Sequence, residues 1–296
     1  MRHIIPISGK DSLATAIVQK NINPNIKYEY VFNPTGAELP EVFEWLDKVE
    51  VYLGSKIEKV GENLIEIIED NGFFLPSRYA RYCTRQSKIE PFEKWIGKDN
   101  CIVYYGIRAD ENRGGYDNSR YPNIIQSYPL KDVGYNIDNV YEIISNVGLK
   151  PPTFFWESVF NEVCSYTSVE DIKELLKEWQ VDMIFSWRTR ANCYFCFNQR
   201  KYEWVGLLEH HPELFWEAER LEHSESEYYW NGKDYPLTKI VENKERIKGK
   251  RINQIRKLIK LVRDSKVKQL SFFDITKEDG FIDFFNTTSC GLFCGK

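Results

Sequence analysis

Near the start of the chain, Ser8-Gly9-Lys10-Asp11-Ser12 combines the groups that hold a phosphate. A tight turn between a buried strand and a helix presents unpaired backbone N–H groups, and the helix dipole adds positive potential. Gly9 lets the backbone approach an anion closely, Ser8 and Ser12 add hydroxyl donors, and Lys10 supplies a point charge. The spacing is neither GxxxxGK[ST] nor GxGxxG. Its place directly after HIIPI (3–7) favours phosphate binding over an ordinary turn, because open parallel sheets bind ligands at strand ends.

Other groups suited to chemistry lie further along. Arg108 and Arg113 follow CIVYYGI (101–107), where guanidinium forks suit phosphate or sulfate. Glu111 between them is placed to orient Arg113 or hold Mg2+ between phosphates. Arg85 and Lys88, three apart on a predicted helix, either contact a nucleotide or solvate the surface. Of seven cysteines, Cys193 and Cys196 have the CxxC spacing of thiolate ligands, which is half of a metal site. Cys290 and Cys294 form a second close pair. Cys101 and Cys164 sit among apolar residues and are expected in the core. An odd count without an export signal argues against a disulfide framework.

The elements that must position these residues follow from periodicity. Strands are expected at 3–7, 27–32, 56–60, 101–107 and about 124–128, and helices at 11–20, 38–53, 62–70 and 84–96. Alternation of this kind indicates a parallel sheet covered on both faces. From about 136 the pattern turns helical, with segments at 136–147, 168–179, 199–209, 212–222, 235–246 and 251–264. Three regions are therefore expected: an α/β core over 1–135, a helical region over 136–268, and a cysteine-containing tail over 269–296 that folds back onto the body. No run approaches the roughly 20 apolar residues of a membrane span, and the first residues do not read as a secretory signal. The expected location is the cytoplasm.

Charge is unevenly spread. Residues 244–268 carry eleven Lys and Arg against Glu245 and Asp264, a local +9, so the remainder of a chain with net charge −4 is about −13. Ile252, Ile255, Ile259 and Val262 line one face of this stretch. It is read as an amphipathic helix packed on the body with a solvated face, with contact to nucleic acid or to a protein partner as the alternatives.

Taken in order, these segments resemble a known family. Ser8–Ser12 is similar to the SGGxDS loop of the adenine nucleotide alpha-hydrolase (PP-loop) superfamily. Asn33-Pro34-Thr35-Gly36-Ala37-Glu38-Leu39-Pro40 resembles the DTGxxxPE turn of its phosphoadenosine phosphosulfate (PAPS) reductase branch. Tyr82-Cys83-Thr84-Arg85, with Lys88 and Pro91, resembles CTxxxKxxP. Gly106-Ile107-Arg108-Ala109-Asp110-Glu111-Asn112-Arg113 resembles GxRxxESxxR, Tyr128–Val133 resembles PLxdW, and Arg190–Cys196 resembles RxGCxxC. The loop has one Gly fewer than SGGKDS, and Asn33 replaces the usual Asp.

The resemblance implies a Rossmann-like (HUP-type) α/β fold and a nucleotide site built from Ser8, Gly9, Lys10, Asp11, Ser12, Thr35, Gly36, Arg85, Lys88, Gly106, Arg108, Glu111 and Arg113. Retention of Lys10 and Asp11 resembles members that split ATP, with Mg2+, between the α- and β-phosphates, and gives both residues a catalytic role. The reaction implied is adenylation of an acceptor in sulfur transfer or nucleic-acid modification, with a cysteine desulfurase or thioredoxin-like protein as sulfur or thiol donor. A PAPS or adenylyl-sulfate (APS) reductase, with Cys290 as nucleophile in a segment similar to ECGLH, is the alternative. A non-catalytic nucleotide sensor in a defence-type complex is another. The resemblance also makes Cys83, Cys193, Cys196, Cys290 and Cys294 candidate ligands of a [4Fe–4S] cluster or of Zn2+. For Cys290 the two roles compete.

Overall fold

The computed structural model of the protein describes residues 1–112, 115, 119–222 and 227–268, with side chains to 264. Arg113 and the 269–296 tail, with Cys290 and Cys294, lie outside the described residues. The chain forms two compact units. The first comprises Met1–Pro152 and Ala191–Tyr194; the second comprises Thr153–Arg190 and the described chain from Phe195 onward.

The first unit is built on five parallel strands: β1 (Arg2–Pro6), β2 (Glu29–Phe32), β3 (Ile57–Lys59), β4 (Cys101–Tyr104) and β5 (Ile124–Ser127). Their spatial order is β3-β2-β1-β4-β5. The apolar runs in β1, β2 and β4 are near-continuous because a parallel sheet is buried on both faces. Right-handed crossovers place α1 (Lys10–Ile22) and α2 (Pro40–Leu53) on one face. The opposite face carries a long helix built in three parts: α4 (Tyr82–Thr84), a π turn (Arg85–Ile89) and α5 (Glu90–Ile96). There Phe92 and Ile96 pack on Ile4, Val31, Val103 and Ile124. α3 (Leu64–Asp70), α6 (Pro129–Asp132) and α7 (Ile137–Asn146) complete the unit.

Several local features follow directly from residue type. Helix α2 opens on Pro40, pre-set for a first helical position, and closes on Gly54 at φ 66°. It buries Val42, Trp45, Leu46, Val49 and Leu53 at helical spacing. The π turn has its cause in Pro91. Proline has no N–H to donate, and its ring crowds the carbonyl four residues back, here that of Ser87. The helix widens by one residue, the Glu90 N–H bonds to the Arg85 carbonyl, and the Ser87 carbonyl accepts instead from the Glu62 N–H at 3.0 Å.

In the second unit, β6 (Phe154–Phe155) pairs antiparallel with β7 (Ser186–Arg188). Around them lie α8 (Glu157–Cys164), α9 (Val169–Leu175), α10 (Glu178–Ile184), α11 (Lys201–His210), α12 (Pro212–Arg220), α13 (Leu237–Glu242) and α14 (Lys244–Lys268). Helix α11 is central, packing on α12, α13, α14 and β7. Gly206 is required there, since a Cβ would sit 2.3 Å from that of Trp187. Helix α14 buries Ile247, Arg251, Ile255, Leu258, Ile259 and Val262.

The expected 168–179 helix is instead two, because Leu176 and Lys177 are extended and Lys177 begins a new helix. The short strands β6 and β7 were not legible, two or three residues being too few to show a period, and the eight-residue helix α8 was not expected either. No helix among the described residues is long and apolar enough to cross a membrane.

Candidate functional site

The sheet order reverses between β1 and β4, so the connections leaving these neighbouring strands run to opposite faces of the sheet, and the crevice of such a fold lies at their C-terminal ends. Ligands of open α/β sheets bind at such a switch point. The turn after β1 carries Ser8–Ser12, and the turn after β4 carries Gly106–Glu111. They meet closely. A Cβ on Gly106 would lie 2.7 Å from the Asp11 carbonyl carbon and 2.7 Å from the Ser12 nitrogen. Glycine at 106 is therefore what allows the β4 exit to lie against the first turn of α1.

Within the first turn, Ser12 acts as a local staple. Its Oγ accepts from the Ser8 N–H at 2.9 Å and the Gly9 N–H at 3.1 Å, and donates to the Gly9 carbonyl at 2.9 Å. Those two amides, read from the sequence as phosphate donors, are used internally to fix the turn. The positive end of α1, a helix of 13 residues, remains at the crevice.

Asp11 is 1% exposed. Its Oδ1 accepts from Arg108 Nη1 at 2.8 Å, and its Oδ2 from Lys10 Nζ at 3.1 Å. Burial alone pushes the Asp11 carboxyl up, but Lys10 and Arg108 outweigh it and hold the group below its ordinary value. Arg108, 5% exposed, also donates to Asp110 at 2.9 Å and lies 3.2 Å from Glu111. Burial lowers its pKa, yet these carboxylates raise it overall. The sequence assigns Arg108 to phosphate; in the structure it also joins the two turns through its ion pairs. Glu111 bonds Arg108, also accepting from its N–H at 3.3 Å; Arg113, the residue it was expected to orient, lies outside the described residues.

The remaining candidates divide. Thr35 is 1% exposed and closes the turn after β2: its N–H and hydroxyl both donate to Glu38, the hydroxyl at 2.7 Å. Gly36 supports that turn at φ 76°. Lys88 is buried in the π turn, whereas Arg85 faces outward, paired with Glu90 at 2.6 Å and 65% exposed.

The cysteines lie in different surroundings. Cys101 lies in the core, where burial pushes its thiol up to about 11. Cys164 is half-buried, with its thiol raised by burial. Cys83 is half-buried in α4. Cys193 belongs to the short 191–194 stretch tied to the β2 turn, where the Tyr194 N–H donates to the Ala37 carbonyl at 2.8 Å. Its Sγ lies 3.1 Å from Thr35 Oγ1. The Thr35 hydroxyl also donates to Glu38. The CxxC spacing carries no hint of this docking. Cys196 belongs to the second unit.

Among the described residues no three His, Cys, Asp or Glu side chains are grouped to hold a metal ion. Cys83, Cys193 and Cys196 do not by themselves fit a cluster or Zn2+. Both Asp11 oxygens and both Glu111 oxygens are occupied by cations or amides, so as placed they do not fit a protein-held Mg2+.

Comparison with known proteins gives three findings. Residues 2–131 match the phosphoadenosine phosphosulfate reductase domain. An uncharacterized protein of Methanocaldococcus jannaschii is 36% identical over 109 residues, 35% of this chain and 22% of that protein. The match thus spans about a fifth of that relative's length. A crystal structure of phosphoadenylyl-sulfate reductase from Candida auris, in a phosphate complex, covers 51% of this chain and 75% of that one, at 14% identity and a TM-score of 0.41. Residues 2–131, which contain both crevice turns and the five-stranded sheet, are thus the part of the chain that is similar to the phosphoadenosine phosphosulfate reductase domain.

Proposed function

We propose that the first unit binds an adenine nucleotide, ATP in preference to PAPS or APS, with the phosphates against the start of α1, and transfers its adenylyl group. The observation that carries the reading is the Lys10–Asp11–Arg108 relay at the switch point. Arg108 fixes one Asp11 oxygen, and the other holds the Lys10 ammonium at the mouth of the helix. Asp11 is then a positioning residue, and Lys10 the cation that touches phosphate.

In the proposed step an acceptor oxygen on a larger substrate attacks the α-phosphorus. The bond to the bridging oxygen breaks, and pyrophosphate leaves with the electron pair. Negative charge grows on the leaving group, where Lys10 and the α1 dipole are preorganised to meet it. The adenylated acceptor is then open to a sulfur donor of the persulfide or thiol class. No step is routed through a protein-held metal.

Product analysis tests the assignment. ATP incubated with the protein is expected to yield pyrophosphate and an adenylyl product or AMP. PAPS with thioredoxin is expected to yield no sulfite. Sulfite release from PAPS without pyrophosphate release from ATP would replace this reading with a reductase.

A further inference from the structure

The second unit contains a hollow of about 180 Å³ lined by eight residues, among them Lys201, Tyr202, Tyr235, Arg246, Lys250 and Arg251. Four of the eight are cations, and no carboxylate lines the space. Two elements build it: the start of α11 supplies Lys201 and Tyr202, and the first two turns of α14 supply Arg246, Lys250 and Arg251. Its walls are braced. Arg251 is 2% exposed, donates through Nη2 to the Ile184 carbonyl at 2.7 Å, and lies 4.3 Å above the Tyr202 ring. The Tyr202 hydroxyl is held by Arg200 at 2.7 Å. The Lys201 ammonium sits 3.2 Å from the centre of the Tyr235 ring.

Like charges gathered around a concave space repel, and a low-dielectric wall strengthens that repulsion. An anion relieves it. Elsewhere on α14 cations are matched by acids: Lys248 bonds Glu209 at 2.9 Å, and Arg263 bonds Asp171 at 3.1 Å. Arg246, Lys250, Lys257 and Lys260 form no ion pair among the described residues and are exposed. Their spacing of four, seven and three residues keeps them near one face of the helix, over a rise on the order of 20 Å. A line of charge of that length suits a polyanion better than one small ion.

We propose that this hollow receives a backbone phosphate of a nucleic-acid strand, and that the strand continues along the Arg246–Lys260 face of α14. Phosphodiesters supply the repeated single charges this face would neutralise, and Arg246 supplies a forked donor. The site is independent of the nucleotide chemistry proposed for the first unit.

Fluorescence anisotropy with labelled 20-nucleotide DNA and RNA, single-stranded and duplex, across a salt series tests it. At low salt the full chain is expected to bind at least one of these saturably. The Arg246→Ala/Lys250→Ala variant is expected to weaken binding about tenfold or more. Its log–log salt slope should flatten by about 0.9 for each phosphate that is no longer neutralised. Both residues are exposed, so the fold, checked by circular dichroism, should persist, and ATP affinity should be unchanged. Lys244→Ala, on the same helix outside the hollow, is the control and is expected to bind as the wild type. No binding by any oligonucleotide at low salt would overturn the proposal, as would equal weakening in the control and the double variant. Binding of inorganic phosphate or AMP that the double variant abolishes, without oligonucleotide binding, would assign the hollow to a small phosphate ligand and overturn the nucleic-acid reading. Failure of the wild type to bind ATP would remove the proposed function and leave this result standing.

Discussion

The ion pair between Arg108 and Asp11 ties the exit of β4 to the first turn of α1 with both partners buried. A pair in this position contributes little over an apolar substitute, but removing Arg108 leaves the buried Asp11 carboxylate with Lys10 to balance it, at a cost of up to about 3–5 kcal/mol. Arg108→Met should therefore lower unfolding stability at pH 7 by that order, and Asp11→Asn added to it should restore part of the deficit. Urea unfolding of the three proteins checks this; an unchanged midpoint for Arg108→Met would contradict the role of this pair. The pH dependence has a definite sign. The Asp11 carboxyl is held below its ordinary value, so its contribution is present above the unfolded pKa of about 4 and is lost as pH falls toward the folded one. The sequence marked both residues as important but did not show that they pair with each other. Nothing in GIRADE states which way a guanidinium points; in the structure Arg108 pairs with Asp11, Asp110 and Glu111. Ser12 is a similar case: its hydroxyl turns inward to the Ser8 and Gly9 amides.

At the scale of elements, the meeting of two turns depends on the missing side chain of Gly106. The atoms a Cβ would strike belong to the Asp11–Ser12 backbone, and backbone at a helix start does not yield cheaply. Gly106→Ala should cost about 1–3 kcal/mol, as overpacking does, and shift the start of α1, lowering pyrophosphate release more than stability alone would explain. Thermal unfolding and turnover measured together check this; full activity with an unchanged melting temperature would show that the turns do not meet closely. The five strands and the helices around them were legible because each buries a periodic apolar face on a sheet. The π turn was not, although its signal, Pro91 inside a helical pattern, was present in the sequence. The break at Leu176–Lys177 was hidden because Val169–Leu175 and Glu178–Ile184 each continue an apolar spacing.

Over the whole molecule, two kinds of positive site are built by different means. In the first unit a single lysine is anchored by a buried carboxylate at the end of a parallel sheet. In the second, several cations line a hollow without an acid among them. The family match ends at residue 131, before the second unit begins. The charge excess of 244–268 was visible in composition; its concentration beside Lys201 and Tyr202 was not, because those residues lie more than forty positions away in the chain. The claim on which the account rests is that Lys10 meets a nucleotide's phosphates at the start of α1. Calorimetric titration of ATP into the wild type and Lys10→Ala tests it most directly. Saturable binding by the wild type, weakened about tenfold or more in a variant with an unchanged circular dichroism spectrum, is the predicted result. Equal affinity in the two proteins, or no saturable binding by well-folded wild type, would contradict it.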